Sequence, residues 1–272
     1  EKNELIKNYS IKMVADETYT SPSTMIRISK KLGFSGWNEF KDAFVEEAEY
    51  LKRHFKNIDA NIPFTNQDTI MNIASKIANL HLESVNDTLS LIHHDNLQKA
   101  VQILRRSHNI HVFAIANLNY AGEEFVFKLN RIHKKAQIDP IQDNMFQNAL
   151  MATGDECAIC LSYSGETPTL LKTVHFLKRK QVPIIAITSL GNNSLSKMAD
   201  VTLNVTTREK SFSKIGSFTS LASINMVLDI LYSCLFSLNY QANLDYKFKI
   251  AQEIETNRII DNEIISETPK ED

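Results

Sequence analysis

The richest chemistry in this chain lies in one short stretch, Ser162-Tyr163-Ser164-Gly165-Glu166-Thr167. An apolar run, Ala158 to Leu161, precedes it, and Pro168 follows it. The apolar run reads as a short strand covered on both faces. Thr167 suits a helix N-cap, and Pro168 suits the first helical position, where a missing N–H is no loss. A strand that delivers hydroxyls to a helix N-terminus can hold an anion. Free backbone N–H groups and the helix dipole point at the ligand, and Ser162, Ser164 and Thr167 add hydroxyl donors. The same residues can instead form a turn that caps its own helix. Local physics leaves both readings open.

The elements that must carry this loop alternate from His108 onward. Strands are expected at Ile110–Ile115, Ala136–Ile138, Ala158–Leu161, Pro183–Thr188 and Val201–Val205. Helices are expected between them, at Tyr120–Ile132, Asn144–Met151, from Thr167 to about Lys180, and at Leu195–Ala199. Such alternation predicts a mostly parallel sheet flanked by helices, an α/β fold that binds ligands beyond the carboxyl ends of its strands. The Ser162 loop, the Ala116–Asn119 segment, Thr188 and Ser189 all fall at those ends. Two helices precede the sheet, one capped by Asp68 and running to about Ile92, the other over Asn96–Arg106. A polar segment, Arg208 to Ser217, and a nearly all-apolar helix, Ser217 to Leu238, follow it.

Residues before about 57 read as all helix. Ile11–Glu17 and Ser21–Leu32 are short helices separated by Thr18–Thr20, with Ser21 as a cap, Pro22 at the first position and Gly33 as the stop. Met25, Ile28 and Leu32 are expected on one inward face. Two short helices with a tight break fit a helix-turn-helix, whose second helix enters the DNA major groove. Between Ser21 and Lys41 four cations (Arg27, Lys30, Lys31, Lys41) stand against one anion (Glu39). On spacing alone a helical hairpin with a solvated charged face fits as well.

Composition narrows the class. The 272 residues, 43% hydrophobic and 23% charged, are globular rather than disordered. A net charge of −2 gives no overall attraction to nucleic acid, so DNA binding requires a local basic patch. Three cysteines make no disulfide framework, which fits the cytoplasm. Cys157 and Cys160 sit an odd number of residues apart on one strand. Their sulfurs therefore face opposite ways, which fits structural thiols rather than a metal or redox pair. Adjacent His93 and His94 likewise point apart. Asn225 and Asp229 interrupt the apolar helix, which is expected to be a buried or interface helix and not a membrane span. The segment from Glu253 to Asp272, seven acids against two bases, reads as a charged tail.

Two stretches also carry a family resemblance. Ser-Tyr-Ser-Gly-Glu-Thr resembles the phosphosugar loop of SIS (sugar isomerase) domains. Ser21 to Lys41, above all Arg27 and Lys31-Leu32-Gly33-Phe34-Ser35-Gly36-Trp37, resembles the N-terminal domain of the RpiR/MurR family of bacterial transcription regulators. The two matches stand in the family's order. The resemblance implies a small all-α helix-turn-helix domain at 1–57, a linker at 58–67, an SIS domain at 68–240, and a C-terminal helix with acidic tail at 241–272. Family members carry a further helical stretch upstream, so the helix-turn-helix is expected to be partial here. Where the family has a small residue in the break, this chain has Tyr19. Where SIS domains have a Gly-rich, Ser-containing turn after the first strand, it has Ala114-Ile115-Ala116-Asn117-Leu118-Asn119. Alanine methyls keep a ligand from the backbone, while an asparagine amide can donate in place of a serine.

The implied function is transcription regulation of carbohydrate metabolism genes under control of a sugar phosphate. The expected ligand contacts are Ser162, Ser164, Gly165, Thr167, Asn117, Asn119, Ser217 and Lys214, with Ser211 a further candidate. The expected DNA contacts are Ser21, Ser23, Thr24, Arg27, Lys30 and Lys31. The expected partners are operator DNA, a sugar phosphate and further copies of the chain, as a homodimer or homotetramer, with no membrane. No cofactor, metal or catalytic residue is assigned. The alternative is a sugar-phosphate isomerase of the same fold, which needs a base at the sugar carbon. Glu166 is a generic loop member, Glu123 and Glu124 read as surface groups, and no histidine falls in a loop tied to the site.

Overall fold

The computed structural model describes Ile6, residues 9–54 and residues 58–255. The chain divides into two compact units, Glu1–Asp59 and Ala60–Asp272. Most of the acidic tail expected from Glu253 lies outside the described residues.

The first unit holds α1 (Ile11–Glu17), α2 (Pro22–Lys31) and α3 (Trp37–His54). Ser10 Oγ accepts from Met13 N, and Ser21 Oγ accepts from Thr24 N, so each of the first two helices starts on a side-chain cap. Both also end alike. At the end of α2, Gly33 takes φ +94°, Phe34 N donates to Ser29 O and Gly33 N donates to Lys30 O. At the end of α1, Thr20 N donates to Ala15 O and Tyr19 N donates to Asp16 O, with Tyr19 at φ +54°. These are two Schellman stops, and Tyr19 occupies the position that glycine fills in the second. The tight break therefore persists with a non-glycine residue, at a cost of about 1 kcal/mol.

Ala15, Met25 and Trp37 form the core of this unit, with Ile11, Val14 and Phe40 against it. The inward face of α2 differs from expectation. Met25 and Ser29 are buried, whereas Ile28 and Leu32 are 42% and 49% exposed. Ser29 follows Met25 by one turn and satisfies its hydroxyl on Met25 O. Ile28 is rotated about 60° from Met25, and Leu32 lies past the last helical residue as the C-cap.

The second unit begins with α4 (Ile70–Leu91) and α5 (His94–Arg106). Thr69, not Asp68, caps α4: its hydroxyl accepts from Asn72 N, while Asp68 binds Thr65 N and Lys76. Then follow β1 (Ile110–Phe113), α6 (Leu118–Asn130), β2 (Ala136–Ile138), α7 (Gln142–Met151), β3 (Cys157–Leu161), α8 (Pro168–Arg179), β4 (Ile184–Ser189), α9 (Ser194–Met198), β5 (Val201–Val205), α10 (Phe218–Leu238) and α11 (Tyr240–Glu255). The five strands form one parallel sheet in the order β2-β1-β3-β4-β5.

Two apolar layers sandwich this sheet. On one face Ile110, Val112, Ile159 and Leu161 pack with Phe125 and Leu129 of α6 and with Val227, Leu228 and Leu231 of α10. On the other, Phe113, Ala158, Ile184 and Ala186 pack with Met145 of α7 and Leu170, Val174 and Leu177 of α8. Alternation along β3 sends Cys157 to the first layer and Cys160 to the second, as an odd offset requires. Burial pushes the Cys157 thiol up to about 11 and Cys160 higher still, which suits inert structural thiols. By length and composition α10 could cross a bilayer. Its residues Ile224, Val227, Leu228, Leu231 and Leu235, however, form a buried stripe against the sheet layer.

Candidate functional site

The strand order opens a crevice. The chain leaves β1 toward β2 on one side, and leaves β3 toward β4 on the other. The helices that follow, α6 and α8, lie on opposite faces, and the carboxyl ends of β1 and β3 are the switch point between them. A hollow of about 170 Å3 lies there. Ile115, Asn117 and Leu118 line it after β1. Leu161, Ser162, Tyr163, Ser164 and Thr167 line it from β3 and its loop. Ser211 and Lys214 reach it from the segment after β5.

The β3 loop is ordered by its own polar groups. Ser162, only 3% exposed, accepts from Gly165 N at 3.1 Å and pairs with Thr167 Oγ1 at 2.9 Å. Ser164 Oγ accepts from Glu166 N at 3.2 Å. Thr167 is the N-cap residue of α8, yet its hydroxyl is turned to Ser162 and makes no capping bond. The Thr167 hydroxyl therefore does not cap the first turn of α8. Asn117 at the start of α6 makes no side-chain cap either, but the first α6 amides turn back into the loop, Leu118 N donating to Ile115 O and Asn119 N to Ala116 O. Both helix starts border the hollow, and their dipoles favour negative charge there.

Backbone strain marks both loops. Gly165 has φ +67°, and a Cβ there would lie 2.1 Å from Asn193 Cγ. Asn193 cannot yield easily, because its Nδ2 donates to Thr188 Oγ1 and its Oδ1 caps α9 at Ser196 N. Glu166 ties the same loop to α9 by accepting from Ser194 N at 2.7 Å. That hydrogen bond holds its carboxyl below the usual range. After β1, Ala116 takes φ +58° without being glycine.

The segment 208–217 is fastened to the site at its start. Tyr163 Oη accepts from Arg208 N and Glu209 N, each at 2.9 Å. Burial pushes this phenol up to about 12, so it is a neutral acceptor at any physiological pH. The buried Arg208 guanidinium donates to Asp87 Oδ2 at 2.7 Å and Glu83 Oε2 at 2.6 Å, both on α4. Glu209 fills the N-terminus of α10. Its carboxylate accepts from the backbone N–H and hydroxyl of both Thr219 and Ser220, and from Lys214 Nζ at 2.7 Å. Burial alone would raise the Glu209 carboxyl, but the Lys214 and Ser220 hydrogen bonds outweigh it and hold it low.

Of the expected ligand contacts, Asn117, Ser162, Ser164, Thr167, Lys214 and Ser211 come together. Gly165 sits against Asn193 and spends its N–H inside the loop. Asn119 and Ser217 are not among the lining residues. Asn119 Oδ1 is buried without a hydrogen-bond partner, and Ser217 is the N-cap residue of α10. Tyr163, Arg208 and Glu209 carry the site's scaffold and were not singled out by sequence. Tyr163 stands inside the motif, but nothing local shows where its hydroxyl goes. In the first unit, Ser21 Oγ lies 3.0 Å from Ser23 Oγ and 2.9 Å from Thr24 Oγ1, a hydroxyl cluster at the start of α2. Arg27, Lys30 and Lys31 are exposed, and α2 contains no acid.

A helical unit of this pattern followed by a parallel sheet with a phosphosugar-type loop defines a two-part transcription regulator. The profile of the helix-turn-helix domain of the rpiR family matches residues 1–52, and that of the SIS domain matches residues 103–234. The chain belongs to the RpiR/MurR family of helix-turn-helix regulators with an SIS domain. It is 25% identical over 244 residues to the uncharacterized HTH-type transcriptional regulator TTE0211 of Caldanaerobacter subterraneus, covering 89% of this chain and 84% of that protein. The Vibrio vulnificus NanR protein, solved as a complex with ManNAc-6P, superposes with a TM-score of 0.64 at 19% identity, covering 95% of this chain and 90% of that one. The same fold serves enzymes: phosphoheptose isomerase GmhA from Neisseria gonorrhoeae gives a TM-score of 0.54 at 12% identity, over 62% of this chain and 100% of that one.

Proposed function

We propose that this regulator binds operator DNA through α2 and that a sugar phosphate in the hollow sets its affinity for that operator. One observation carries the ligand half. The starts of α6 and α8, neither capped by its N-cap side chain, border a hollow lined by Ser162, Ser164, Thr167, Asn117 and Lys214. Its volume, about 170 Å3, is below the roughly 300 Å3 at which small-molecule sites ordinarily begin. That size suits a phosphate group inside, with the sugar at the mouth near Asn119 and Ser217.

On the DNA side, Ser21, Ser23 and Thr24 at the start of α2 reach bases or phosphates, Arg27 a base edge or phosphate, and Lys30 and Lys31 phosphates. Residues 1–57 act as the reader, 58–67 as linker and 68–240 as sensor, in the cytoplasm. The outward face of α10 supports pairing into a dimer or tetramer: Ala222, Met226 and Ile230 line an apolar groove with Val85 of α4. A paired reader fits a palindromic operator.

The protein acts as a sensor and not as an isomerase. No carboxylate or imidazole stands among the residues lining the hollow. Glu166 is committed to Ser194, Glu124 to Lys128, and Glu209 to α10. The test is a thermal-shift panel of hexose and N-acetylhexosamine 6-phosphates, N-acetylmannosamine 6-phosphate included. A binding member raises the melting temperature and changes operator affinity in a mobility shift, and operator binding weakens steeply with salt. A flat panel removes the sensor reading, and turnover of any member restores the isomerase.

A further inference from the structure

We infer that Asn61 is a positioning residue that passes the state of the hollow to the chain leading into the first unit. The inference rests on the sugar-phosphate reading above. Asn61 lies two residues after Asp59, where the first unit ends. Its Oδ1 accepts from Lys210 N at 2.6 Å, and its backbone carbonyl accepts from Ile215 N at 2.9 Å. Those two amides bracket Ser211 and Lys214, the residues that this segment contributes to the hollow. A strap that walls the site is thus pinned on both sides of its ligand-facing residues to one residue at the head of the linker.

The strap's start is also held to α4 through Arg208 and to α10 through Glu209, and further fastenings lie on the ligand side. Tyr163, inside the phosphosugar loop, holds the Arg208 and Glu209 amides, and Glu209 holds Lys214. Lys214 therefore has two possible anionic partners, the Glu209 carboxylate and an anion in the hollow. Moving its ammonium from one to the other displaces a span of four residues, 211–214, whose two flanks hang on Asn61. A ligand shifts such an equilibrium only as far as it prefers one state. The preference here is the additional contact between Lys214 and the ligand anion. Removing the Asn61 side-chain amide frees the Lys210 end of the strap, keeps the backbone bond to Ile215 N and leaves the cradle of Ser162, Ser164 and Thr167 intact, so binding and its consequence become separable.

The experiment is hydrogen–deuterium exchange and operator mobility shift on the full chain, with N-acetylmannosamine 6-phosphate and inorganic phosphate as probes. In the wild type a probe slows exchange at 162–167 and changes it at 60–62. Asn61→Ala keeps the 162–167 response, with probe affinity within about twofold. It weakens severalfold both the 60–62 response and the effect of the probe on operator affinity. Asn61→Asp retains an oxygen acceptor for Lys210 N and restores both. The inference is overturned if probe addition changes the operator affinity of Asn61→Ala as much as that of the wild type. It is equally overturned if that variant loses probe binding and operator response by the same factor, since Asn61 would then only support the fold. If neither probe slows exchange at 162–167 in the wild type, the sugar-phosphate reading itself fails and takes this inference with it.

Discussion

The loops after β1 and β3 face one hollow and are built in opposite ways. Each delivers a helix N-terminus without a side-chain cap. The β3 loop surrounds that terminus with hydroxyls locked into one another, and its one left-handed residue is a glycine. The β1 loop offers a single asparagine, and its left-handed residue is an alanine. A third N-terminus nearby, that of α10, is closed by Glu209. The chain's own anion fills the α10 N-terminus, whereas the N-cap side chains of α6 and α8 supply no cap. Those two differ in how many directed donors accompany the dipole.

Gly165→Ala breaks the β3 loop most severely. It places a methyl against Asn193 in a left-handed backbone, for a loss of about 3 kcal/mol read from the urea midpoint. Next comes the ligand. If the hollow takes the proposed sugar phosphate, Ser162→Ala costs it roughly ten- to a hundredfold in calorimetric affinity through loss of a directed donor to a charged group. Asn117→Ala on the β1 side costs only about fivefold; equal losses would erase the asymmetry between the two loops. The closed terminus answers to acid. The Glu209 carboxyl is held below its ordinary 4.5. Its stabilisation is therefore complete above that pH and is lost as pH falls below it through the lowered value. Glu209→Gln should flatten that acid limb in a pH series of thermal melts. The smallest effect is Ala116→Gly. Relief of the left-handed strain, less the added freedom of the unfolded chain, leaves a gain of about 0.5 kcal/mol. A loss there would mean that the methyl is packed rather than strained.

The first unit repeats the lesson in miniature. The sequence predicts its break at Thr18–Thr20, and the stop forms there with Tyr19 in the left-handed position. Hydrogen-bond geometry at a helix end outweighs about 1 kcal/mol of backbone preference. Ile28 and Leu32 are more exposed than their spacing on α2 predicts, because apolar character alone does not say which neighbour a helix meets. Ser29 is buried because its hydroxyl finds Met25 O without leaving the helix.

By itself the sequence determined the type and order of the strands and helices, the hydroxyl run Ser162–Thr167 at a helix start, the basic short helix carrying Arg27, and the opposed faces of Cys157 and Cys160. Each of these depends on residues within a few positions of one another, where backbone geometry and side-chain periodicity leave little choice. Only the tertiary structure decided that β1 lies beside β3, which puts the Asn117 turn against the Ser162 loop. It also decided that Lys214 and Ser211 arrive some fifty residues later along the chain. The destination of the Tyr163 hydroxyl and the hold of Asn61 on the strap are of the same kind. Strand order and such distant contacts follow from which apolar faces bury best together across the whole unit, a property of the assembled chain that no local run of residues contains.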